Sequence, residues 1–229
     1  LTEATLEVIR RNDLESAYIR PLAYYGYHSL GVSPGDCPTD VTIAAWPWGA
    51  YLGDEALENG IEVKVSSWRK HASSQIPTNA KTTGLYVNSM LAGEEARRHG
   101  YKEAIVLNKE GNVAEGPGEN LFLVRDGEIF TPGLSESILD GITRETVITL
   151  AEERGYEVHD NVSISRGELH TADELFFTGS AAEVTPIRKV DNVEIGNGGR
   201  GPVTEELQSA FFDLVERRTD DHEEWFTYV

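Results

Sequence analysis

The alternation of apolar and polar residues predicts a chain in which helices and strands are interleaved. Helical spacing of apolar residues predicts helices over residues 1–11, 86–98, 143–154 and 203–217. Runs rich in β-branched and aromatic residues predict strands over residues 16–22, 41–46, 61–68, 103–108, 113–115, 120–125, 128–131 and 174–178. Asp126-Gly127 predicts a tight hairpin between two of these strands. Because the pattern contains no regular βαβ repeat, it favours an α+β fold over a doubly wound parallel sheet.

Length and composition are those of a folded globule. The chain has 229 residues, of which 39% are hydrophobic, and this is enough to form a substantial core. No apolar run approaches the ~20 residues that a membrane-spanning helix needs. No secretory signal is visible, although a trimmed amino terminus would hide one. Cys37 is the single cysteine, so an intramolecular disulfide is excluded and we expect a reducing, cytoplasmic location.

The acidic balance of the chain limits its partners. A net charge of −19 argues against nucleic acid as a partner, because phosphate backbones require patches of Lys and Arg. The acids recur throughout the sequence, and only six lysines accompany 39 Asp and Glu residues. Surface repulsion of this size is better tolerated when salt screens it. We therefore expect a halophilic cytoplasmic protein; the alternative is an ordinary acidic enzyme.

Residues 76–86 form a polar segment of small residues that leads into a predicted helix and contains Lys81. A lysine in such a loop can present its amine to a cleft, where a lowered pKa suits it to form an imine with an aldehyde cofactor and to move protons. An exposed, solubilising lysine is the alternative, and it is the commonest fate of this residue type. The segment alone does not separate the two.

Three later segments change the interpretation. They are Ala114-Glu115-Gly116-Pro117-Gly118-Glu119-Asn120-Leu121-Phe122, Leu139-Asp140-Gly141-Ile142-Thr143-Arg144 and Thr178-Gly179-Ser180-Ala181-Ala182-Glu183-Val184-Thr185-Pro186. Together with the Lys81 segment, in this order, they resemble the class IV pyridoxal-phosphate aminotransferases, and most closely the branched-chain amino-acid aminotransferases. The resemblance extends from about residue 4 to residue 212. It implies a two-domain, fold-type IV pyridoxal-phosphate enzyme.

The resemblance assigns three residues to the cofactor ring. Lys81 is expected to hold pyridoxal phosphate as a Schiff base, and Tyr86 to hydrogen-bond the phenolic oxygen of the cofactor. Glu115 is expected to contact the ring nitrogen, which must stay protonated if the ring is to accept electrons. Taken singly, Tyr86 could be a core tyrosine and Glu115 one more surface acid.

Two segments are expected to bind the cofactor phosphate. Phosphate is bound by backbone N–H groups at the start of a helix together with hydroxyl groups, and Gly141-Ile142-Thr143 supplies both at the start of a predicted helix. Gly179 and Ser180 match a family loop that meets the phosphate, and Ser180 with Ala181 also matches positions that meet the substrate carboxylate. The alternative for each segment is a tight turn.

Substrate contacts are expected from the amino-terminal part. Tyr18 and Arg20 match a family pair that faces the carboxylates of the substrate, and strand alternation puts both on one face. Trp48 and Tyr51 match positions that line an apolar side-chain pocket. A structural ion pair for Arg20 and interdomain packing for the aromatic residues are the alternatives.

The domain organisation follows from the same resemblance. Residues 1–47 are expected to be the remainder of a small amino-terminal domain, residues 48–60 a linker, and residues 61–229 the large cofactor-binding domain. The family's small domain also has an earlier part, with an arginine that binds the cofactor phosphate. Since that part lies outside this sequence, either the chain omits residues of a longer protein or it is a fragment, and a protein truncated here should bind the cofactor poorly.

The predicted activity is the transfer of the amino group from Leu, Ile or Val to 2-oxoglutarate. The protein is expected to be a homo-oligomer, either a dimer or a hexamer, and to have no nucleic-acid or membrane partners. The alternatives are D-amino-acid transaminase or aminodeoxychorismate lyase activity on the same fold, and a catalytically silent binding protein. No metal is expected, because the histidines lack ligand spacing and one cysteine cannot build a thiolate zinc site. Residues 196–201 satisfy G-x-G-x-x-G, but no second parallel strand follows, so we interpret them as a loop before a helix.

Overall fold

The computed structural model describes residues 1–49 and 51–229 and divides the chain into two compact units. The first unit consists of Leu1–Tyr51 and His222–Val229, and the second of Leu52–Asp221. The change from the first unit to the second falls inside the predicted linker, residues 48–60. The domain boundaries at residues 47 and 60 stay a prediction.

Among its described residues, the first unit contains one α-helix, a short 3₁₀ helix (Glu223–Trp225) and a two-stranded antiparallel sheet. Helix α1 (Thr2–Arg11) packs against β2 (Thr39–Trp46), which pairs with β1 (Tyr18–Tyr25). In the register of this pair, Tyr18 lies opposite Trp46. The sheet therefore places two aromatic side chains next to each other at one end.

The second unit is built on a mixed sheet. Its helices are α2 (Asp54–Asn59), α3 (Tyr86–Arg98), α4 (Ile142–Glu153) and α5 (Pro202–Val215). Its strands are β3 (Ile61–Arg69), β4 (Glu103–Leu107), β5 (Val113–Glu115), β6 (Asn120–Arg125), β7 (Glu128–Pro132), β8 (Val158–Val162), β9 (Glu174–Gly179), β10 (Glu183–Val190) and β11 (Val193–Glu194). The order across the sheet is β5-β4-β3-β10-β9-β6-β7-β8, and β11 pairs with β10. Among the described residues, no helix is long and apolar enough to span a bilayer.

The centre of the sheet separates two faces. Strands β6 and β9 are antiparallel neighbours, and Leu121 and Phe177 are paired on a face that belongs to the main hydrophobic core. On the opposite face the rings of Phe122 and Phe176 stack with centroids 4.9 Å apart. Because side chains alternate along a strand, Asn120 and its partner Thr178 project to the same side as this stacked pair.

A buried carboxylate fixes the start of α5. Glu174 of β9 accepts hydrogen bonds from the backbone N–H groups of Val203 (3.0 Å) and Thr204 (2.7 Å), and from the Thr204 hydroxyl (2.6 Å). These N–H groups lack partners inside the helix, and the negative charge is favourable at a helix amino terminus. The loop that satisfies G-x-G-x-x-G lies between β11 and this helix, as predicted.

The α+β prediction is correct, and the predicted elements are found with shifts of a few residues at their ends. Four elements were not anticipated: α2, β8, β10 and β11. Helix α2 has six residues and lies in the predicted linker. Strand β8 is an edge strand whose polar residues obscure alternation, and β10 contains Pro186 and ends with Arg188-Lys189 before the last valine. Pairing with neighbouring strands, rather than local propensity, defines these two strands.

Candidate active site

Glu115 is a buried carboxylate at the end of β5. Its Oε2 accepts a hydrogen bond from Asn120 Nδ2 (3.0 Å) and another from the backbone N–H of Leu139 (2.9 Å). Asn120 Nδ2 also donates to the Leu139 carbonyl (2.9 Å), so one amide group joins the carboxylate to the loop before α4. The direction of the Glu115 side chain is therefore set by two elements besides its own.

Lys70, directly after β3, forms an ion pair with Glu115 through Nζ and Oε1. Both side chains are nearly buried, with exposed fractions of 10% for Lys70 and 6% for Glu115. Burial raises the pKa of the Glu115 carboxyl, and the Lys70 ammonium and the Leu139 N–H oppose that shift. Lys70 is thus the cation closest to the buried carboxylate among the charged groups that the structure describes around it.

Lys81 lies in the wall of two adjoining cavities. The first is also lined by Lys70, Tyr86 and Glu115. The second, of about 270 Å³, is lined by the start of α4 and the end of β9. Gly118, Asn120 and Leu139 line both cavities together with Lys81, so the two cavities adjoin at these residues, and we call the two together the cleft. No hydrogen bond joins Lys81 Nζ to another described residue.

The second end of the cleft suits a phosphate group. Gly141, Ile142 and Thr143 open α4, where backbone N–H groups have no partners within the helix, and Gly179 and Ser180 lie across the cavity from them. Thr178 Oγ1, in the same wall, is buried and has no hydrogen-bond partner among the described residues. Buried hydroxyl groups normally have a hydrogen-bond partner, and an oxygen-rich ligand in this cavity would accept a hydrogen bond from Thr178 and from the nearby backbone N–H groups.

Residue 141, at the start of α4, lies directly against the side chain of Asn120 in β6. The backbone of Gly141 is extended, with φ −83° and ψ 131°, and its N-cap position does not need positive φ. A Cβ atom at this position would overlap the side-chain oxygen of Asn120. The close approach lets Asn120 reach both Glu115 and Leu139. Arg144, one turn further, is buried and donates from Nη2 to the carbonyls of Pro132 (3.3 Å) and Asp160, which attaches α4 to the sheet.

Two more glutamates are buried nearby: Glu119 lines the same cavity as Glu115, and Glu103 lies close enough to Glu119 to affect its charge. Glu119 accepts a hydrogen bond from the backbone N–H of Gly118 (3.0 Å), and Glu103 accepts one from that of Ala104 (2.9 Å). Burial raises the pKa of Glu119 to about 8, and the charges of Glu103 and Glu115 act in the same direction. Burial also raises the pKa of Glu103 to about 7. Burial thus favours the neutral form of both acids.

The predicted substrate residues form a cluster within the first unit. Arg20 Nη2 donates to the Tyr18 hydroxyl (2.9 Å), and the guanidinium lies 5.1 Å from the centroid of the Tyr18 ring. Trp48 contacts the rings of Tyr18 and Tyr51, with centroid distances of 4.4 and 6.1 Å. Trp46, which the sequence did not single out, contacts Tyr18 and Trp48. A cation thus lies beside an aromatic surface.

The structure brings Lys81, Tyr86 and Glu115 to the first cavity and Gly141, Ile142, Thr143, Gly179 and Ser180 to the second. Ala181, which follows Ser180, is half-buried. The sequence interpretation missed Lys70, Asn120 and Thr178. Asn120 and Thr178 lie in two of the segments that carry the family resemblance. Each is a polar residue at the end of an apolar strand, and this feature could have identified them as site residues. Lys70 is 45 residues from Glu115 and carries no local signal.

One group outside the cleft has metal-ligand chemistry. Glu128, Glu157 and His159 each bring one ligand atom within 4.8 Å of the others. His159 Nε2 lies 2.9 Å from Glu128 Oε2, so these side chains already bond to each other on the surface. The expectation that the protein needs no metal stays a prediction.

Comparison with known proteins gives consistent matches. Residues 1–190 match the family model described as amino-transferase class IV. The branched-chain-amino-acid aminotransferase of Escherichia coli K12 is 53% identical over 230 residues, covering 100% of this chain and 74% of the relative. The crystal structure of the E. coli enzyme superposes with a TM-score of 0.94, covering 97% of this chain and 73% of that one.

Two solved structures of one relative contain cofactor-derived groups. The T.th. branched-chain amino acid aminotransferase with pyridoxamine 5′-phosphate is 48% identical, with a TM-score of 0.93 and coverage of 99% of this chain and 74% of that chain. The same enzyme complexed with N-(5′-phosphopyridoxyl)-L-glutamate is 45% identical, with a TM-score of 0.90 and coverage of 99% and 73%. The extent of these matches, over a cleft lined by a lysine, a buried carboxylate and the start of a helix, leads to one conclusion: the chain belongs to the class IV aminotransferases, a family of pyridoxal-phosphate enzymes, and within it to the branched-chain-amino-acid aminotransferases.

Proposed function

We propose that this protein transfers the amino group of Leu, Ile or Val to 2-oxoglutarate and uses pyridoxal phosphate held covalently through the ε-amine of Lys81. The observation that carries the proposal is the order of groups along the cleft. The buried carboxylate of Glu115 lines the first cavity, the start of α4 lines the second, and Lys81 lines both. The names of the relatives, and the phosphopyridoxyl-glutamate bound by one of them, support the choice of substrates.

The residues of the cleft fit the cofactor at both ends. When bound, pyridoxal phosphate supplies a protonated ring that withdraws electrons from the α-carbon of the substrate. Glu115 would accept the hydrogen bond of the ring nitrogen. Gly141, Ile142 and Thr143 would bind the phosphate through backbone N–H groups and a hydroxyl, and Ser180 would add a second hydroxyl. Tyr86 would donate a hydrogen bond from its hydroxyl group to the phenolic oxygen of the cofactor.

Proton movement would fall to Lys81. Once an incoming amino acid takes the place of its amine, Lys81 Nζ would remove the proton from the α-carbon of the substrate and deliver it to C4′ of the cofactor. Water would then release the 2-oxo acid, and the amino group would stay on the cofactor. The reverse sequence with 2-oxoglutarate returns the amine to its starting state. Transfer in two separate half-reactions predicts ping-pong kinetics.

Recognition of the substrate is assigned to the cluster in the first unit. Arg20 and the Tyr18 hydroxyl offer donors for a carboxylate, including the second carboxylate of glutamate. Trp48 and Tyr51 offer aromatic surface for a branched aliphatic side chain, whose burial contributes roughly 25 cal/mol per Å². Ser180 and Ala181 complete the proposed set at the α-carboxylate.

The first test is a half-reaction measured by absorbance. Pyridoxal phosphate is added to the protein in high salt, and the visible band of the bound cofactor is followed on addition of L-leucine and then of 2-oxoglutarate. We expect the band to disappear with leucine and to return with 2-oxoglutarate. Protein that develops no such band with the cofactor would contradict the proposal.

Lys81→Ala is expected to reduce turnover by at least ~10⁴-fold, because covalent catalysis and proton transfer are lost together. Borohydride reduction of the loaded wild-type protein should add the cofactor mass to the peptide that contains Lys81. Lys109→Ala, which removes an exposed lysine, is the matched control and should keep wild-type activity. Full transamination by Lys81→Ala would disprove the role of Lys81.

Substrate choice separates the rival activities. The transaminase is expected to use L-leucine and to leave D-alanine unchanged, whereas a D-amino-acid transaminase would show the opposite preference. Release of pyruvate from aminodeoxychorismate would indicate the lyase. A protein that binds the cofactor and turns over none of these compounds would be the silent binding protein.

We also propose that the protein acts as a homo-oligomer. Helix α3 exposes Val87, Met90 and Leu91, whose spacing places them on one face of the helix. An apolar helix face of this kind is a typical subunit contact. Light scattering coupled to gel filtration should give a mass of two or six chains, and a monomer at micromolar concentration would contradict the proposal.

A further inference from the structure

Lys70 stands out among the groups that line the cleft, because it is a second lysine in the cavity that contains Lys81. Its amine is already engaged with Glu115 Oε1, and its side chain is only 10% exposed. Its backbone N–H donates to the Leu107 carbonyl (2.9 Å), which fixes the chain directly after β3 to the neighbouring strand. Lys70 therefore contacts the carboxylate from the side opposite to Asn120 and Leu139, which bind Oε2.

We propose that Lys70 is a positioning residue that keeps Glu115 ionised and directed at the ring nitrogen of the cofactor, an inference that rests on the proposed function. A buried carboxylate without a cation takes up a proton, because water no longer stabilises the charge. A neutral Glu115 could not act as the ionic partner of a protonated ring nitrogen. The charge of Lys70 thus determines how strongly the site binds the protonated ring.

The other charged groups around Glu115 cannot replace Lys70. Lys81 also favours the ionised form, but its amine is used in the bond to the cofactor. Glu119 acts in the opposite direction when it is ionised. Asn120 and Leu139 donate hydrogen bonds without a formal charge. The loss of Lys70 would leave the buried carboxylate with neutral donors only.

The experiment measures the dissociation constant of pyridoxal phosphate by absorbance titration from pH 6 to pH 9. The variants are Lys70→Met, Lys70→Arg and Lys70→Gln, and the control is Lys64→Met, which removes a half-buried lysine from β3. Lys70→Met should weaken binding by at least about tenfold at pH 7, as expected when one member of a buried pair is removed. The deficit relative to wild type should be larger at pH 6 than at pH 9, because rising pH ionises Glu115 again.

The conservative variants separate charge from shape. Lys70→Arg should bind within about threefold of wild type, and Lys70→Gln should resemble Lys70→Met, because only the arginine keeps the charge. Lys64→Met should be unchanged. In a Glu115→Gln background, Lys70→Met should add less than about twofold, since the pair acts as one unit. If Lys70→Met does not fold, Lys70→Gln takes its place in the same comparisons. The double variant leaves no buried charge unpaired, because both members of the pair are then neutral.

Three outcomes would overturn the assignment. They are unchanged affinity and pH profile in Lys70→Met, equal loss in Lys70→Arg and Lys70→Met, and full additivity of Lys70→Met with Glu115→Gln. Borohydride labelling of wild type distinguishes failure of the proposed function from failure of the role assigned to Lys70. Wild-type protein that binds no cofactor, or that is labelled at Lys70, would overturn the proposed function and this inference together. Normal labelling at Lys81 with no effect of Lys70→Met would overturn the inference alone.

Discussion

Two buried glutamates, Glu115 and Glu119, line the proposed ring-binding end of the cleft, and a third, Glu103, interacts with Glu119; the partners of the three differ. Glu115 has an ammonium and two uncharged donors, whereas Glu119 and Glu103 have hydrogen bonds from the backbone N–H of a neighbouring residue. Burial without a cation shifts the equilibrium of Glu119 and Glu103 towards the neutral acid. The ionised form is therefore favoured more strongly at Glu115 than at Glu119 and Glu103. A protonated ligand nitrogen would find its negative partner at Glu115.

This difference predicts a pH-dependent effect of Glu119→Gln on stability. The folded-state pKa of Glu119, about 8, is raised from the ordinary 4.5, so wild type loses stability as pH rises through 4.5 to 8. Glutamine mimics the neutral acid and has no such loss. The advantage of the variant over wild type in free energy of unfolding should grow from pH 5 to pH 9 by at most ~4 kcal/mol, measured by urea denaturation.

Glu110→Gln provides the control, because it makes the same substitution at an exposed glutamate. A constant difference between Glu119→Gln and wild type from pH 5 to pH 9 would mean that Glu119 is ionised in the folded protein throughout. A variant less stable than wild type at pH 9 would contradict the prediction in sign.

At the scale of elements, the site is assembled by the ends of β3, β5, β6 and β9 and by the start of α4. Antiparallel pairing of β6 with β9 places Asn120 opposite Thr178, and the approach of α4 brings Gly141 against Asn120. The ring end and the phosphate end of the cleft are consequently linked through one side chain. A shift of α4 relative to β6 should disturb both ends.

Gly141→Ala tests this link. The added methyl group would displace Asn120, which holds both Glu115 and the Leu139 loop, while the extended backbone at this position accepts alanine without strain. We expect affinity for pyridoxal phosphate to fall by about tenfold, equivalent to ~1.4 kcal/mol. Fluorescence titration with the cofactor gives the measurement.

Gly167→Ala is the matched substitution, because a Cβ atom there meets Ser165 Oγ at an ordinary 3.9 Å. It should bind the cofactor like wild type. If Gly141→Ala also binds like wild type, Asn120 can move without loss, and the link between the two ends of the cleft does not exist.

The elements show what the sequence could and could not predict. Helix α3 begins and ends at Tyr86 and Arg98 as predicted, because its pattern and its glycine stop are local. The motif residues Lys81 and Glu115 were identified because four segments recur in a family order. Lys70 was not, because its role depends on a contact between residues 45 positions apart, and an isolated lysine after a strand is otherwise ordinary. Strand β8 was missed because its edge position removes the burial that produces alternation.

The scale of the whole molecule is dominated by charge. Some exposed acids make only a long contact with a histidine among the described residues. Glu157 is 70% exposed and lies 3.7 Å from His159, and Glu224 is 73% exposed and lies 3.8 Å from His222. Exposed ion pairs contribute at most ~1 kcal/mol each, so they offset little of the repulsion from a net charge of −19. Screening by dissolved ions is therefore expected to reduce most of this repulsion between surface charges.

Salt should therefore raise the stability of this protein more than it does for a neutral one. Between 0.1 and 3 M KCl the melting temperature is expected to rise by at least ~5 °C, corresponding to ~1–2 kcal/mol for a chain of this size. Most of the rise should come below ~1 M, where the Debye length falls to ~3 Å, because repulsion is then already screened. A parallel series in sucrose, which favours compact states without screening charge, separates the two effects. A melting temperature that is flat or falls over the KCl series would remove the high-salt hypothesis and leave an ordinary acidic enzyme.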